Sequence, residues 1–403
     1  MPNLDLSAKP RDLLEELLEE SPAAARKREQ ATFEKAAGDR DQRIVLFGAG
    51  GLGRRTLAGL RSAGLEPLAF SDNRPELWGT DLDGLTVLPP EEAAAAFGSN
   101  AAFVVTIWGA GSTHRLAHSQ RQLQQLGCDM VLPPAWLYWR YPEQLLPFYA
   151  LDLPSRLLED AQPIRQCFDL WSDEASRREF AAQVLWRLSG DPSCLGHPDP
   201  GEQYLVADVA KEQREEVVLD CGAYDGDTLR AWLSVRGPTF STYFAMEPDP
   251  LSRQRLETSL TELDPAVAKR VRVLPYSVSN YTGTATFSAS GSLSSAMDDG
   301  AGISVQCIRL DDLEPEFEGD VPTFLKMDVE GAELDALTGG QSWLRRTHPM
   351  IAIATYHRQD HLWRVPLAVN DLWSQYGFYL RPHNEEGWDL ILYAVPPNRS
   401  LLG

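Results

Sequence analysis

Residues Val217 to Leu229 read VVLDCGAYDGDTL, and the fold turns on this stretch. A short apolar run ends at Asp220, the glycines Gly222 and Gly226 punctuate a turn, and Asp227-Thr228-Leu229 opens a helix. Strand, glycine turn and helix together begin a βαβ unit. Downstream, the apolar runs TYFAM, VRVLPY, TFLKMD, MIAIATY, GFYL and DLILYAV alternate with helical segments such as TLRAWL and GAELDALTGGQSWLRR. An extra pair, TATFSAS and ISVQCIRL, falls between the third and fourth runs. Short strands alternating with helices predict a parallel sheet covered on both faces, so the fold class is α/β.

In an open α/β sheet a ligand lies in the crevice beyond the strands' carboxyl ends. Gly222 lets the backbone approach such a ligand, and Gly226 permits the turn into the helix. The second strand ends in Glu247 of YFAMEPDP, one strand-helix-strand unit after Asp220, with Pro248 fixing the turn. A carboxylate there accepts both hydroxyls of a ribose. Asp220, directly or through water, meets a cationic amino-acid end. S-adenosylmethionine carries both groups. The expected cofactor-binding residues are Asp220, Gly222, Ala223, Tyr224, Gly226, Asp227, Thr228, Glu247 and Pro248, with Ser277 after the third strand beside the adenine. A competing structural reading makes Asp220 and Asp225 turn or capping residues.

Five motifs occur in order: VVLDCGAYDGDTL, YFAMEPDP, IRLDDL (Ile308 to Leu313), FLKMDVEGAE (Phe324 to Glu333) and ATYHRQDHLW (Ala354 to Trp363). Such a series is far more specific than any one member. Through it the chain from about residue 213 resembles the FkbM family of S-adenosylmethionine-dependent methyltransferases. The helical LLEDAQPIRQCFDLWSDEASRREF and the EQYL of Glu202 to Leu205 also resemble longer family members. The resemblance implies a class I seven-stranded methyltransferase sheet, usually methylating a hydroxyl oxygen of a small molecule or glycan.

In that topology the ends of the first, fourth and fifth strands meet over the donor methyl. Asp328 and Glu330 follow the fourth strand and His357 the fifth, so these three are the candidates for base or acceptor positioning. Each has a structural alternative: a helix cap for Asp328, a helix-dipole partner for Glu330, a loop histidine for His357. Asp311 and Asp312 read as turn residues. No His/Cys/Asp spacing demands a metal, and none is assigned. The stretch SASGSLSSAMDDGAG (Ser288 to Gly302) reads as a lid over the donor or as an ordinary exposed loop.

A second glycine turn lies upstream. Gly48-Ala49-Gly50-Gly51-Leu52-Gly53 fits GxGxxG between a strand and a helix, and Asp72 follows at the roughly 20-residue distance of a ribose-binding acid. Read alone, this predicts an NAD(P)-dependent oxidoreductase. Against that, the unit is about half a dinucleotide fold, and nothing nearby offers a hydride-transfer acid or base. The stretch SDNRPELWGTDLDGLTVLPPEEA resembles small N-terminal domains of some sugar-modifying acyltransferases and methyltransferases. That resemblance implies a nucleotide or nucleotide-sugar site at Gly48, Gly50, Gly53 and Asp72, or a non-catalytic scaffold.

Composition narrows the classes. A net charge of -21, with 58 acidic against 37 basic residues, argues against binding along nucleic-acid phosphates. No apolar run is long enough for a membrane span, and the acidic start lacks a secretory pattern. Five widely spaced cysteines form neither a disulfide framework nor a zinc site, which points to a cytoplasmic protein. The expected organisation is a polar helical segment over 1–42, amphipathic by its leucine spacing or else simply solvated, and a Rossmann-like domain over 43–130. A helical connector over 131–212 and the methyltransferase-type domain over 213–398 follow.

Overall fold

Alternation within the first strand sets the architecture of the N-terminal half. In this computed structural model, which describes residues 8–109, 114–287 and 303–401, strand β1 (Ile44–Phe47) is buried along its whole length. Ile44 and Leu46 join one apolar cluster with Leu57, Leu60 and Tyr138. Val45 and Phe47 join another on the opposite face with Phe103, Val105 and Leu123. A period of two with both faces apolar is what a covered parallel strand requires. Strands β2 (Ala69–Ser71), β3 (Asp81–Leu82), β4 (Leu85–Leu88), β5 (Ala102–Val105) and β6 (Val131–Leu132) complete the sheet in the order β3-β4-β2-β1-β5-β6. Only β3 runs antiparallel to its neighbour.

The C-terminal half is built on β7 (Glu216–Cys221), β8 (Phe240–Met246) and β9 (Val271–Leu274). A small three-stranded sheet of β10 (Tyr276–Val278), β11 (Gly283–Phe287) and β12 (Ile303–Ile308) follows, and it contains the extra pair expected from the sequence. Then come β13 (Phe324–Met327), β14 (Met350–Ala354), β15 (Gly377–Pro382) and β16 (Leu390–Val395). The large sheet runs β15-β16-β14-β13-β7-β8-β9, parallel except for β16. This is the seven-stranded arrangement implied by the resemblance. The chain first lays strands to one side of β7 and then to the other, so the strand order reverses between β7 and β13. A crevice opens at the carboxyl ends of strands at such a reversal.

The N-terminal segment departs from the solvated reading and follows the amphipathic one. Leu13, Leu14 and Leu17 of helix Pro10–Leu17 are buried in one continuous core with Phe168, Phe180 and Val184 of the connector and with the large sheet. A helix carrying three leucines on one stripe lowers its free energy by docking that stripe. In the connector, Leu157, Leu158, Ile164, Phe168, Phe180, Val184, Leu185 and Leu188 are buried, while Leu170 is half-buried. The stretch 288–302, read as lid or loop, lies outside the described residues. No helix among the described residues is long and apolar enough to cross a membrane.

Candidate active site

A cavity of about 550 Å³ lies at the carboxyl edge of β7, β8 and β13, within the roughly 300–1,000 Å³ range of small-molecule sites. Two conformational demands shape it. Gly222 has φ +87°, and a Cβ there would sit 1.9 Å from the Asp328 carbonyl oxygen. The turn after β7 thus packs against the end of β13 as only glycine allows. Five non-glycine residues lining the cavity (Tyr149, Tyr204, Tyr224, Glu330 and Asp389) also have φ between 47° and 68°. Strained backbone of this kind, at about 1–3 kcal/mol each, collects where a site needs particular directions.

Of the sequence-predicted donor residues, Gly222, Tyr224, Asp227, Thr228, Glu247, Pro248 and Ser277 line the cavity. Glu247 holds the first turn together: its Oε2 accepts the Tyr224 N–H at 2.8 Å and its Oε1 the Asp249 N–H at 2.8 Å. Burial pushes its carboxyl up to about 7. Asp227 Oδ1 accepts the Thr228 N–H at 2.7 Å. Ala223 and Gly226 form the turn behind the lining residues. Asp225 faces away, paired with Arg230 at 2.6 Å.

Asp220 lies differently from the position expected. It is fully buried beneath the cavity, where Tyr243 donates to its Oδ2 at 2.7 Å and Lys326 Nζ stands 3.0 Å from its Oδ1. Lys326 also donates to the Gly222 carbonyl at 2.5 Å. Burial alone would lower the Lys326 ammonium, but the charges of Asp220, Asp328 and Asp227 raise it above its ordinary value. Asp220 and Lys326 therefore brace the glycine turn from below.

The three candidate catalytic residues come together with four partners outside the candidate set, Glu333, His361, Tyr204 and Tyr149. His357 Nδ1 lies 2.6 Å from Glu333 Oε1, and its Nε2 lies 3.2 Å from Asp328 Oδ1 and 3.8 Å from Glu330 Oε2. His361 Nδ1 is 3.1 Å from the other Glu333 oxygen. Burial would lower the His357 imidazole, but Glu333 and Asp328 raise it well above its usual value. His357 is thus held as a cation and does not line the cavity, unlike Asp328 and Glu330. Burial would raise the Asp328 carboxyl, yet His357, Lys326 and the Tyr204 hydroxyl (2.6 Å from Oδ2) hold it below the usual range. Glu330 has weaker partners, accepting from the Tyr149 hydroxyl at 3.3 Å, and burial pushes it up to about 7. Glu333 was visible inside FLKMDVEGAE, and His361 inside ATYHRQDHLW, where it opens the helix that follows the His357 turn. Tyr204 lay within the EQYL stretch noted above, whereas nothing local marked Tyr149.

Asp328, Glu333 and His357 also place three potential metal-ligand atoms within 4.8 Å of one another. These groups already pair with one another, His357 Nδ1 by a hydrogen bond to Glu333 at 2.6 Å and Nε2 as an ion pair with Asp328 at 3.2 Å.

The upstream glycine turn is occupied by its own chain. Asp72 Oδ2 accepts the Ala49 N–H at 2.7 Å, while Arg74 donates to both carboxylate oxygens at 2.9 Å through its side chain. A Cβ on Gly53 would sit 2.0 Å from the Gly48 carbonyl oxygen, so Gly53 serves close strand–helix packing. Gly50 faces open space, with only Arg74 within 4 Å.

This sheet order and crevice are those of a class I methyltransferase, and comparison with known proteins specifies the family. Residues 220–380 match the model of the methyltransferase FkbM domain. The 2-O-methyltransferase NoeI of Sinorhizobium fredii is 31% identical over 202 residues, which is 45% of this chain and 80% of that protein. A crystal structure of methyltransferase FkbM from Methylobacillus flagellatus KT is 20% identical and superposes with a TM-score of 0.75. It covers 96% of this chain and 100% of that one, so the fold is shared along almost the whole length. The chain belongs to the FkbM methyltransferase family.

Proposed function

We propose that this protein transfers the methyl group of S-adenosylmethionine to a hydroxyl oxygen of a small molecule or glycan. One observation carries the reading: Glu247 after β8 and the carboxylates Asp328 and Glu330 after β13 line the same cavity, at the reversal point of the sheet. The residues present fit the donor. The Gly222 turn leaves no room for a side chain, Glu247 offers oxygens to a ribose, and a carboxylate-lined cavity suits a sulfonium with an ammonium end. Bound there, S-adenosylmethionine supplies an electrophilic methyl group on a good leaving group.

The chain's own residues orient the acceptor and take its proton. As the acceptor oxygen bonds to the methyl carbon, the carbon–sulfur bond breaks and the hydroxyl proton must leave. Glu330, with a carboxyl near neutrality, takes that proton in this reading, because a base works best with a pKa near the working pH. Asp328, fixed by Tyr204 and His357, orients the hydroxyl. His357 as a cation is poorly suited to be the base and instead sets the charge of both carboxylates. The four-part organisation read from the sequence is kept in this proposal, with helix Pro10–Leu17 and the connector sharing the core of the catalytic half.

The test is calorimetry with S-adenosylhomocysteine, followed by mass spectrometry of a glycan and metabolite panel for a gain of one methyl. Glu330→Gln is expected to lower single-turnover methyl transfer by about 10²–10⁴-fold with donor affinity intact. Failure of the wild-type chain to bind S-adenosylhomocysteine would remove the proposal.

A further inference from the structure

The acceptor end of the cavity has a composition that specifies charge. Its walls are Tyr149, Trp388 and Tyr356, with ring centroids 4.6 Å apart for Tyr149–Trp388 and 5.7 Å for Tyr356–Trp388. Three carboxylates, Asp328, Glu330 and Asp389, line this aromatic cup. Of the cations at or beneath the cavity wall, Lys326 is committed to Asp220 and the Gly222 carbonyl and His357 to Glu333 and Asp328, while the exposed Arg358 guanidinium lies beside Gly331, outside the cavity lining. Asp220, Asp328, Glu330, Glu333 and Asp389 thus stand against Lys326 and His357.

We propose that this end takes a neutral or amine-bearing polyhydroxyl ring and rejects anionic acceptors, nucleotide-diphosphate sugars included; the inference rests on the methyltransferase reading above. Ionised carboxylates accept hydrogen bonds from hydroxyl and ammonium donors, whereas a phosphate or a second carboxylate meets like charge there. Aromatic walls supply apolar area for the ring's C–H faces without adding charge. A like charge brought into such a site is repelled. A nucleotide-linked sugar carries its diphosphate next to the ring and is therefore disfavoured as an acceptor here.

The experiment uses the full chain saturated with S-adenosylhomocysteine and ligand-observed NMR. The probes are methyl β-D-glucopyranoside, its 2-amino-2-deoxy analogue, methyl β-D-glucuronide and uridine diphosphate glucose. The neutral and amino glycosides are expected to bind, with the two anions at least about tenfold weaker. The Glu330→Gln/Asp389→Asn double variant should narrow that gap, and Trp388→Ala should weaken every glycoside alike. Anions binding as tightly as the neutral glycoside would overturn the inference, as would no glycoside binding to the product-loaded chain. Either result leaves the methyltransferase reading standing. Absence of S-adenosylhomocysteine binding overturns both. Because the wild-type probe series already decides the charge preference, the conclusion stands even if a variant fails to fold.

Discussion

The chain contains two glycine turns of the same kind, each following a central parallel strand and each followed by an acid after the next strand. In the N-terminal turn, Asp72 is covered by the Ala49 N–H and by Arg74. In the C-terminal turn, Glu247 also accepts two backbone N–H groups, yet it borders a cavity of about 550 Å³. The difference lies in what surrounds the acid. Arg74, two residues after Asp72, neutralises it, while Glu247 meets no such partner and is pushed up to about 7 by burial. A shared motif therefore specifies strand, turn and helix, but whether the crevice keeps binding capacity depends on the neighbours the fold delivers.

The sharpest contrast should come from removing each region's cation. His357→Gln leaves Glu333 buried among weaker partners and is expected to cost about 3–5 kcal/mol in urea unfolding. Arg74→Gln, whose side chain is half exposed, should cost at most about 1 kcal/mol. The His357 contribution also has a pH signature. A raised imidazole stabilises fully below its unfolded value of about 6.5, and loses this as pH rises through the raised folded value. The lowered Glu333 carboxyl works in the opposite sense, losing its contribution as pH falls below its ordinary value. The wild-type advantage over His357→Gln should therefore be greatest in mildly acidic solution and shrink toward high pH. A difference that stays flat from about pH 6 to 9 would show that His357 is not held as a cation.

A smaller effect separates the glycines. Gly222→Ala adds a Cβ at φ +87° and 1.9 Å from a backbone oxygen, so a loss of roughly 2–4 kcal/mol and of donor binding is expected. Gly50→Ala, facing open space, should cost under about 1 kcal/mol and leave donor affinity unchanged. Equal effects at the two sites, read by melting and calorimetry, would erase the distinction drawn between the two turns.

The smallest expected effect lies in the acids themselves. Glu247→Ala should weaken S-adenosylhomocysteine by about 1–3 kcal/mol, whereas Asp72→Asn should leave its affinity unaltered. Since Glu247 is raised to about 7 and ribose hydroxyls favour its charged form, wild-type affinity should climb with pH up to neutrality and then level off. Calorimetry in buffers of different ionisation enthalpy would detect the proton released on binding. A pH-independent affinity would argue that Glu247 does not meet the ribose.

What was legible in the sequence was whatever repeats within a strand-turn-helix unit. VVLDCGAYDGDTL announced a buried strand and a tight turn, because apolar period and glycine placement are local properties. Glu247 was found for the same reason, one unit further along. The tertiary structure decided the rest. Asp220, expected at the donor, proved to be a buried brace, because Tyr243 and Lys326 reach it from neighbouring strands. The Glu333–His357 pair, Tyr204 on Asp328 and Tyr149 on Glu330 join residues from separate parts of the chain, in the last case from the connector to the end of β13. Long-range chain pairing makes such contacts, and they leave no periodicity in sequence to read. Only packing settles which of several carboxylates is neutralised, raised or left facing a cavity, because burial and neighbouring charge set a carboxyl's state more strongly than its identity does.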